Sequence, residues 1–280
     1  MLVTLKEILK IAEEKDYGVG AFNTPNLECL TAVLQSAEKY KVPVIIAHAE
    51  LHESVQPLSV IGPVMIQKAK EAKVPVCVHL DHGEHLDYLE QALELGFTSI
   101  MYDGSSLSYE ENVANTKQAV AMAKKKSASV EAEIGVLGGR ETAGTASVDP
   151  ESMYTDPALA EKFVKETGID ALACSFGTAH GIYKTIPKLD FPRIAKIKEL
   201  VKIPLVMHGG SGCSENDYIQ AISNGVRKIN YYSYMSREGV FAVKDMLGKQ
   251  EVTFFHDLAA AAQQAMQKDV ERAMKIFYGL

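Results

Sequence analysis

The 280-residue sequence lacks several features that would assign it to common protein classes. No block of lysine or arginine stands out and the formal net charge is −7, so the broad basic surface that nucleic-acid backbones require is missing. No stretch approaches about eighteen uninterrupted apolar residues, and acidic side chains interrupt the apolar pattern of the N-terminal segment, unlike a signal peptide. We therefore expect a cytoplasmic protein with no nucleic-acid or membrane partner.

The cysteines offer no close pair, and no linker divides the chain. Cys29, Cys77, Cys174 and Cys213 are far apart, and no C-x-x-C motif occurs. Cys77 and Cys174 lie in strand-like runs, where buried free thiols are common. Neither disulfides nor a thiolate metal site is indicated. Because no repeat, low-complexity tract or Pro/Gly/Ser-rich linker interrupts the pattern, we expect one domain over residues 1–280.

What the sequence does contain is a regular alternation of short β-rich runs with longer amphipathic helical patterns. Eight strands are predicted, at 17–22, 43–48, 75–80, 98–102, 129–134, 171–176, 203–208 and 227–232. An extra helix is predicted at 2–15, before the first strand, and a long terminal helix at 256–277. Such an eightfold alternation in a chain of this length predicts an α/β fold, the TIM (β/α)8 barrel, rather than an open doubly wound sheet.

Polar side chains collect where the predicted strands end. These residues are Asn23, Asp81, His82, Asp103, Glu131, Glu133, His180, His208 and Asn230. In a TIM barrel the carboxyl ends of the strands form one rim, which carries the active site. Three imidazoles with one open position are the usual ligands of catalytic zinc, so His82, His180 and His208 are predicted to bind one metal ion. His79 shares the inward face of Asp81 one layer deeper, and is predicted to support or pack.

A second histidine cluster follows the second strand. His48, Glu50, His52 and Glu53 lie close together but do not have the helical spacing of a two-histidine zinc motif. A rival metal site there is the less favoured interpretation. We instead predict a rim that contacts the far end of the substrate.

Glycine-rich turns after the sixth and seventh strands predict a phosphate site. Backbone N–H groups at glycines can approach an anion closely, and barrels often bind phosphate after strands seven and eight. Gly181 and the cation Lys184 follow the sixth strand. The predicted phosphate-binding residues of the last two loops are Gly209, Gly210, Ser211, Gly212 and Ser233. The long segment 135–157 contains Gly138-Gly139 and is predicted to be a mobile lid.

Six motifs in order, "HLDHG", "YDGSS", "VEAEIGVLGG", "AHGIYK", "MHGGSG" and "KIN", resemble the class II, zinc-dependent ketose-bisphosphate aldolases, which include fructose- and tagatose-bisphosphate aldolases. The resemblance runs over nearly the whole chain. It implies a zinc ion on the three histidines, with Glu133 as a secondary ligand, and Asp81 as the acid/base at the C4 oxygen of a phosphorylated ketose. It further implies that Glu141 moves the proton on the enolised carbon and that Asn230 steadies the enediolate.

The same resemblance implies how the substrate is held. Dihydroxyacetone phosphate would bind through its phosphate to Gly181, Lys184, Gly209, Ser211 and Ser233, and Asn23 is predicted to contact substrate from the first strand. A monovalent cation near the phosphate loop and a homodimer or homotetramer are expected by the same analogy.

The sequence departs from the family pattern around the aldehyde half of the substrate. Tyr232 and Tyr234 stand where small or acidic residues are usual, and Ala49 stands where a serine or threonine is common. No basic residue for a second phosphate can be placed, except Arg272 as a weak candidate. The identity of the aldehyde is therefore left open.

Three alternative functions fit the sequence less well. A Schiff-base aldolase needs a barrel lysine, whereas strand six ends in Ser175 and Phe176. A metal-dependent hydrolase would want an H-x-H pair on strand one, where the chain has "AFNTPN". A non-catalytic sugar-phosphate-binding protein would need neither Asp81 nor Glu141.

Overall fold

Eight parallel strands close into a barrel in the computed structural model, which describes residues 1–135, 154–183 and 187–280. Each strand pairs with the next along the chain, and the eighth pairs with the first. The strands are Val19–Asn23 (β1), Val44–Ala49 (β2), Val76–Gly83 (β3), Ser99–Tyr102 (β4), Ser129–Ile134 (β5), Ala171–Cys174 (β6), Leu205–Met207 (β7) and Val226–Tyr231 (β8). The predicted TIM barrel is confirmed.

β6 and β7 are shorter than predicted, by two and three residues. β6 ends at Cys174, so His180 lies on the loop that follows it rather than at the strand end. β7 begins at Leu205 instead of 203, directly after Pro204, which has no backbone N–H to donate to the sheet. His208 still follows the last residue of β7 directly, so the predicted rim position is retained.

Helices cover the outside of the barrel and fill the predicted intervals. Their bounds are Leu5–Lys15 (α1), Leu27–Tyr40 (α2), Leu58–Glu71 (α3), Leu86–Leu95 (α4), Tyr109–Lys125 (α5), Pro157–Thr167 (α6), Phe191–Val201 (α7), Glu215–Ser223 (α8), Ser233–Lys249 (α9) and Phe255–Tyr278 (α10). Within the described ranges, no helix is both long and apolar enough to cross a membrane.

The extra helices at the two ends of the chain are present. α1 begins three residues later than predicted because Leu2 pairs with Val76 of β3, and because Thr4 and Glu7 form a reciprocal capping box. α10 packs against α9 and α2, and its Phe277 ring is buried at the barrel wall.

The barrel interior carries polar residues in two layers. On each of three strands, β3, β5 and β8, two polar residues are separated by one residue, so that their side chains share the inward face. The pairs are His79 and Asp81, Glu131 and Glu133, and Lys228 and Asn230. Because the second member of each pair is nearer the carboxyl end of its strand, the upper layer faces the rim and the lower layer lies beneath it.

The predicted burial of Cys77 and Cys174 is confirmed, and Cys29 and Cys213 are buried as well.

Candidate active site

A bulge near the end of β3 turns two consecutive side chains toward the barrel mouth. Strict alternation would direct Asp81 inward and His82 outward. His82 instead has a left-handed backbone, with φ of 45°, and the pairing of β3 with β4 shifts register between Leu80 and Gly83. Asp81 and His82 therefore both line the same cavity. A non-glycine residue in this conformation is uncommon and marks a position where the backbone serves the site.

The three predicted metal-binding histidines meet above the barrel. Nε2 of His82 lies 3.1 Å from Nε2 of His180 and 2.9 Å from Nδ1 of His208. The candidate ligand atoms of all three lie within 4.8 Å of one another. Residues separated by 98 and 126 positions in the chain are therefore brought to one point.

Two of these rings have an outer nitrogen, which faces away from the other histidines, and an inner nitrogen, which faces them. A buried carboxylate accepts a hydrogen bond from each outer nitrogen. Nδ1 of His82 is 2.8 Å from Oδ2 of Asp103, and Nε2 of His208 is 2.8 Å from Oε1 of Glu131. An ionised carboxylate only accepts, so each ring donates its outer N–H. When the ring is neutral, its inner nitrogen, the one that faces the other histidines, carries the free lone pair. This is the usual outer arrangement of metal-binding histidines, and the residues present fit a divalent ion held at the inner nitrogens.

Of the three histidines, electrostatics favour the positively charged form only at His82, which holds one extra proton. Burial by itself would lower the pKa of His82, but the Asp81 and Asp103 carboxylates outweigh it and raise that pKa to about 9. Burial and the nearby charge of His82 lower the pKa of His180 to about 3, and they lower the pKa of His208 as well. Two neutral imidazoles and one displaceable proton are suited to bind a divalent cation.

Two amides hold the Asp81 carboxylate beside this cluster. Nδ2 of Asn23 donates to one oxygen at 3.1 Å, and Nδ2 of Asn230 donates to the other at 3.0 Å. Burial opposes ionisation of Asp81, but the positive charges of His82 and Lys228 outweigh it and hold its pKa well below the usual range. Asp81 is therefore an ionised, oriented carboxylate that can accept a proton.

Glu133, the predicted secondary ligand, lies near the end of β5. Its side chain is buried and lines the cavity. Together with His82 and Asp103 it forms a second set of potential ligand atoms within 4.8 Å of one another. His82 is thus shared between the two sets.

The loops after β6 and β7 are joined through one tyrosine. The hydroxyl of Tyr183 accepts from the backbone N–H of Ala179 at 2.9 Å and donates to the carbonyl of Gly209 at 2.8 Å. Gly209 has φ of 61°, and a Cβ there would lie 2.4 Å from the carbonyl oxygen of Ala179. Only glycine fits this close approach.

The predicted phosphate residues divide into two groups. Gly181, Gly209, Ser211 and Ser233 line the cavity, and Ser233 is the first residue of the 17-residue helix α9. Gly210 is not among the cavity-lining residues. Its carbonyl accepts from the Tyr218 hydroxyl at 2.6 Å, and a Cβ on it would lie 2.8 Å from the Asn230 carbonyl, so it is a close-packing position.

The opposite side of the cavity is formed by the loops after β2, β3 and β4, joined by Tyr232 after β8. The cavity has a volume of about 670 Å³, within the range of small-molecule sites. Its residues on this side are Glu50, Leu51, His52, Glu84, His85, Ser105, Ser106 and Tyr232. The His52 ring packs edge-on against Tyr232, with centroids 5.1 Å apart.

The second histidine cluster does not gather into a metal site among the described residues. Nε2 of His48 faces the Tyr88 hydroxyl at 3.1 Å, and that hydroxyl donates to Glu53 at 2.6 Å. Glu50 turns the other way and accepts from the His85 ring at 2.6 Å. Glu50 and His52 instead line the cavity, and their contact with the far end of the substrate stays a prediction.

Three assignments fall outside the described residues, wholly or in large part. Glu141 and most of the predicted lid 135–157, including Gly138-Gly139, belong to 136–153, and Lys184 belongs to 184–186. Their roles stay predictions.

Sequence reasoning gave no role to three residues that the structure places in the site. Asp103 and Glu131 bind the outer nitrogens of two cluster histidines, and Lys228 pairs with Glu131. Strand alternation could have identified two of them. Glu131 and Lys228 each precede a predicted site residue by two positions and so share its inward face.

The chain is similar to known proteins over almost its whole length. The chain matches the family described as fructose-bisphosphate aldolase class-II over residues 3–279. It is 38% identical to 6-phospho-5-dehydro-2-deoxy-D-gluconate aldolase of Halalkalibacterium halodurans, over 99% of this chain and 96% of that protein. The YdjI aldolase from Escherichia coli K12 is similar in structure, with 32% identity and a TM-score of 0.88 over 99% and 97% of the two chains. A putative fructose-1,6-biphosphate aldolase from Coccidioides immitis has 29% identity and a TM-score of 0.88 over 98% and 95%.

The close approach of Gly209 to the Ala179 carbonyl predicts that adding a Cβ at Gly209 lowers stability by a clash, in addition to the strain of its left-handed backbone. Gly209→Ala should destabilise the fold by more than Gly168→Ala, because both glycines are left-handed but a Cβ at Gly168 meets nothing within 4 Å. The control should lose about 1–2 kcal/mol, the cost of the left-handed backbone alone. Urea unfolding of both variants measures the difference. Equal losses would contradict the steric explanation.

The proton on His82 predicts that metal binding depends on pH. A ligand must be deprotonated, and the His82 pKa of about 9 lies above neutral pH, so a divalent metal ion that binds His82 would have to displace this proton at pH 7. Zinc affinity should therefore rise by about tenfold per pH unit from pH 7 and level off as the pH passes the pKa. Calorimetry at pH 7 in buffers of different ionisation enthalpy should show about one proton released per zinc. Binding without proton release would contradict the assignment.

Proposed function

The chain belongs to the class II fructose-bisphosphate aldolase family, and from this premise we propose that it reversibly cleaves a phosphorylated ketose to dihydroxyacetone phosphate and an aldehyde. As a member of that family it is a metal-dependent aldolase, a carbon–carbon lyase. The observation that carries the proposal is the Asp81 carboxylate, held by two amides directly beside the three-histidine cluster.

Zinc is the metal we assign to His82, His180 and His208, with Glu133 as a secondary ligand. Zinc suits three imidazole ligands with an open position. When bound, it would supply Lewis-acid stabilisation of the negative charge that develops as the carbon–carbon bond breaks. The lone pairs that Asp103 and Glu131 leave on the inner nitrogens support this assignment.

Asp81 takes the proton that cleavage releases. The hydroxyl on C4 of the ketose must lose its proton for the aldehyde to form, and a buried, ionised carboxylate within reach accepts it. Asn23 and Asn230 fix both Asp81 oxygens, so the carboxylate does not reorient during the transfer. In the synthetic direction Asp81 returns this proton to the new hydroxyl.

Asn230 contacts both the proposed base, Asp81, and the histidine cluster, beside which the enediolate charge would develop. Its Nδ2 lies 3.0 Å from Asp81 and 3.2 Å from Nδ1 of His208. An amide donor in this position can also stabilise the enediolate left on the dihydroxyacetone phosphate half. The proton on the enolised carbon is assigned to Glu141.

The phosphate is assigned to the side of the cavity formed after β6, β7 and β8. Gly181, Gly209, Ser211 and Ser233 are the proposed phosphate contacts, with Lys184 as the cation and Gly210 as packing support. Ser233 begins a long helix, whose free N–H groups and dipole favour an anion. A monovalent cation beside this loop, a homodimer or homotetramer, and a cytoplasmic location are further proposals from the family.

The aldehyde half is proposed to carry no phosphate. Glu50 and Glu84 line the opposite side of the cavity, and among the described lining residues there is no lysine or arginine. Arg272, the weak candidate, is instead paired with Asp269 and the Tyr231 hydroxyl. A second phosphate would carry about −1.5 to −2 charge into this acidic side, and like charges placed together cost several kcal/mol. The relative from Halalkalibacterium halodurans is likewise named for a substrate with a single phosphate.

A substrate panel tests this assignment. Matched pairs of ketose 1-phosphates and 1,6-bisphosphates should be compared by coupled assay of released dihydroxyacetone phosphate. We expect kcat/KM to favour the monophosphate by roughly tenfold or more, because about 1.4 kcal/mol of repulsion corresponds to tenfold. Preference for the bisphosphate would overturn the assignment of the aldehyde half. Release of no dihydroxyacetone phosphate from any member would overturn the proposed reaction.

Two variants separate the base from the metal ligands. Asp81→Ala should retain zinc but lower kcat by about 10²–10⁴-fold, since general acid–base catalysis typically contributes that factor. His208→Ala should lose both zinc and activity. Metal content is measured by mass spectrometry on the same preparations that are assayed.

Two control experiments for the Asp81 and His208 variants also test the alternative Schiff-base mechanism, which needs a lysine. Chelation should abolish cleavage, and borohydride with substrate should trap no covalent adduct. Full zinc content in a variant with alanine at positions 82, 180 and 208 would contradict the metal site.

A further inference from the structure

An ion pair lies inside the barrel directly beneath the histidine cluster. Glu131 on β5 and Lys228 on β8 have no exposed surface, and Nζ of Lys228 lies 3.0 Å and 2.9 Å from the two Glu131 oxygens. TIM-barrel interiors are usually filled by branched apolar side chains. A buried ion pair is seldom more stabilising than apolar packing of the same volume. Stability alone therefore gives no reason for this pair.

The pair is connected to the site through one ring. Oε1 of Glu131 accepts from Nε2 of His208 at 2.8 Å and from Lys228 at 3.0 Å. Because the carboxylate only accepts, the proton of the neutral imidazole is on Nε2. The lone pair is then on Nδ1, which faces His82 at 2.9 Å. The contact with Glu131 thus determines which nitrogen of His208 is available to a metal.

Lys228 determines where that carboxylate points. β5 and β8 are not neighbours in the sheet, so the contact crosses the barrel interior and bridges two separate parts of the wall. By contacting both oxygens, Lys228 fixes the rotation of the carboxylate, and its charge compensates the cost of burying Glu131. An apolar residue at this position would leave Glu131 without either effect.

The lower layer continues toward the base. His79 on β3 is fully buried, and its Nδ1 lies 2.8 Å from the Ser99 hydroxyl. Its Nε2 lies between two carboxylates, 3.8 Å from Glu131 and 3.9 Å from Asp81. The polar groups of the lower layer therefore stand directly under the groups of the upper layer.

We propose that Glu131 and Lys228 are positioning residues, which hold the His208 imidazole with Nδ1 directed to the metal and thereby set the affinity of the site. This inference rests on the proposed zinc site, and it concerns residues that do not touch substrate. Residues of this kind around metal-binding histidines typically change metal affinity by about 10–100-fold when they are replaced.

The experiment compares zinc binding in two variants of the whole protein. Lys228→Met removes the charge but keeps the length of the side chain, and should weaken zinc binding by about 10–100-fold in a competition titration with a chromophoric chelator. The d–d absorption of bound cobalt(II) should also change, because the angle of one ligand ring is no longer fixed. Leu205→Ala is the matched control, since Leu205 is a fully buried barrel residue on β7 outside the Glu131–Lys228–His208 contacts. It should lose stability, with zinc affinity and cobalt spectrum unchanged.

A double variant keeps the test valid if Lys228→Met fails to fold. Glu131→Gln with Lys228→Met removes both buried charges and retains an amide oxygen for His208, so it should fold as well as the wild type. Its zinc affinity should still be lower, because a neutral amide is a weaker acceptor than a carboxylate.

The outcomes distinguish this inference from the proposed function. Wild-type zinc affinity and cobalt spectrum in Lys228→Met or in the double variant would overturn the positioning role. An equal loss of zinc affinity in Leu205→Ala would overturn it too, because any destabilisation of the barrel would then have the same effect. Failure of the wild-type protein to bind zinc would instead contradict the proposed metal site.

Discussion

The site depends on hydrogen bonds between imidazoles and carboxylates that are shielded from water. Asp103 and Glu131 accept from the outer nitrogens of His82 and His208, and so direct the inner nitrogens of these rings to one point. In bulk water such contacts would be weak and interchangeable. Inside the barrel they are strong, and they are costly to leave unmade. The same burial requires Lys228 to accompany Glu131, so the proposed metal ligands and the ion pair beneath them form one connected set.

Unusual backbone conformations at His82 and Gly209 are needed to build the site. An ordinary strand cannot direct two consecutive residues to the same face, yet the site uses both Asp81 and His82. The left-handed conformation of His82 and the register shift beside it solve this conflict at the end of β3. At Gly209 the site requires that there be no side chain at all, since the loops after β6 and β7 approach too closely for any Cβ. Both features occur where strands end, which is where a closed barrel can tolerate irregular backbone without losing its ladder.

The cavity has two chemically different sides. Glycines, serines and the start of α9 suit an anion on the side formed after β6 to β8. The other side, with Glu50 and Glu84 beside the His52 and Tyr232 rings, offers carboxylates and aromatic surface. The first side is the proposed phosphate site, whereas the second includes Tyr232, one of the positions where the sequence departs from the family it resembles. Substrate choice is therefore expected to depend on the loops after β2, β3 and β8.

The alternation of β-rich and helical segments determined the barrel, and the polar residues at strand ends determined His82, His180, His208 and Asp81 as candidates, because both signals are periodic and local in sequence. The sequence could not determine which nitrogen of each ring is free, nor that Lys228 reaches across the interior to Glu131. Those features depend on contacts between strands on different sides of the barrel, which no local pattern specifies. Only closure of the barrel brings these groups together and removes the water that would otherwise compete for their hydrogen bonds.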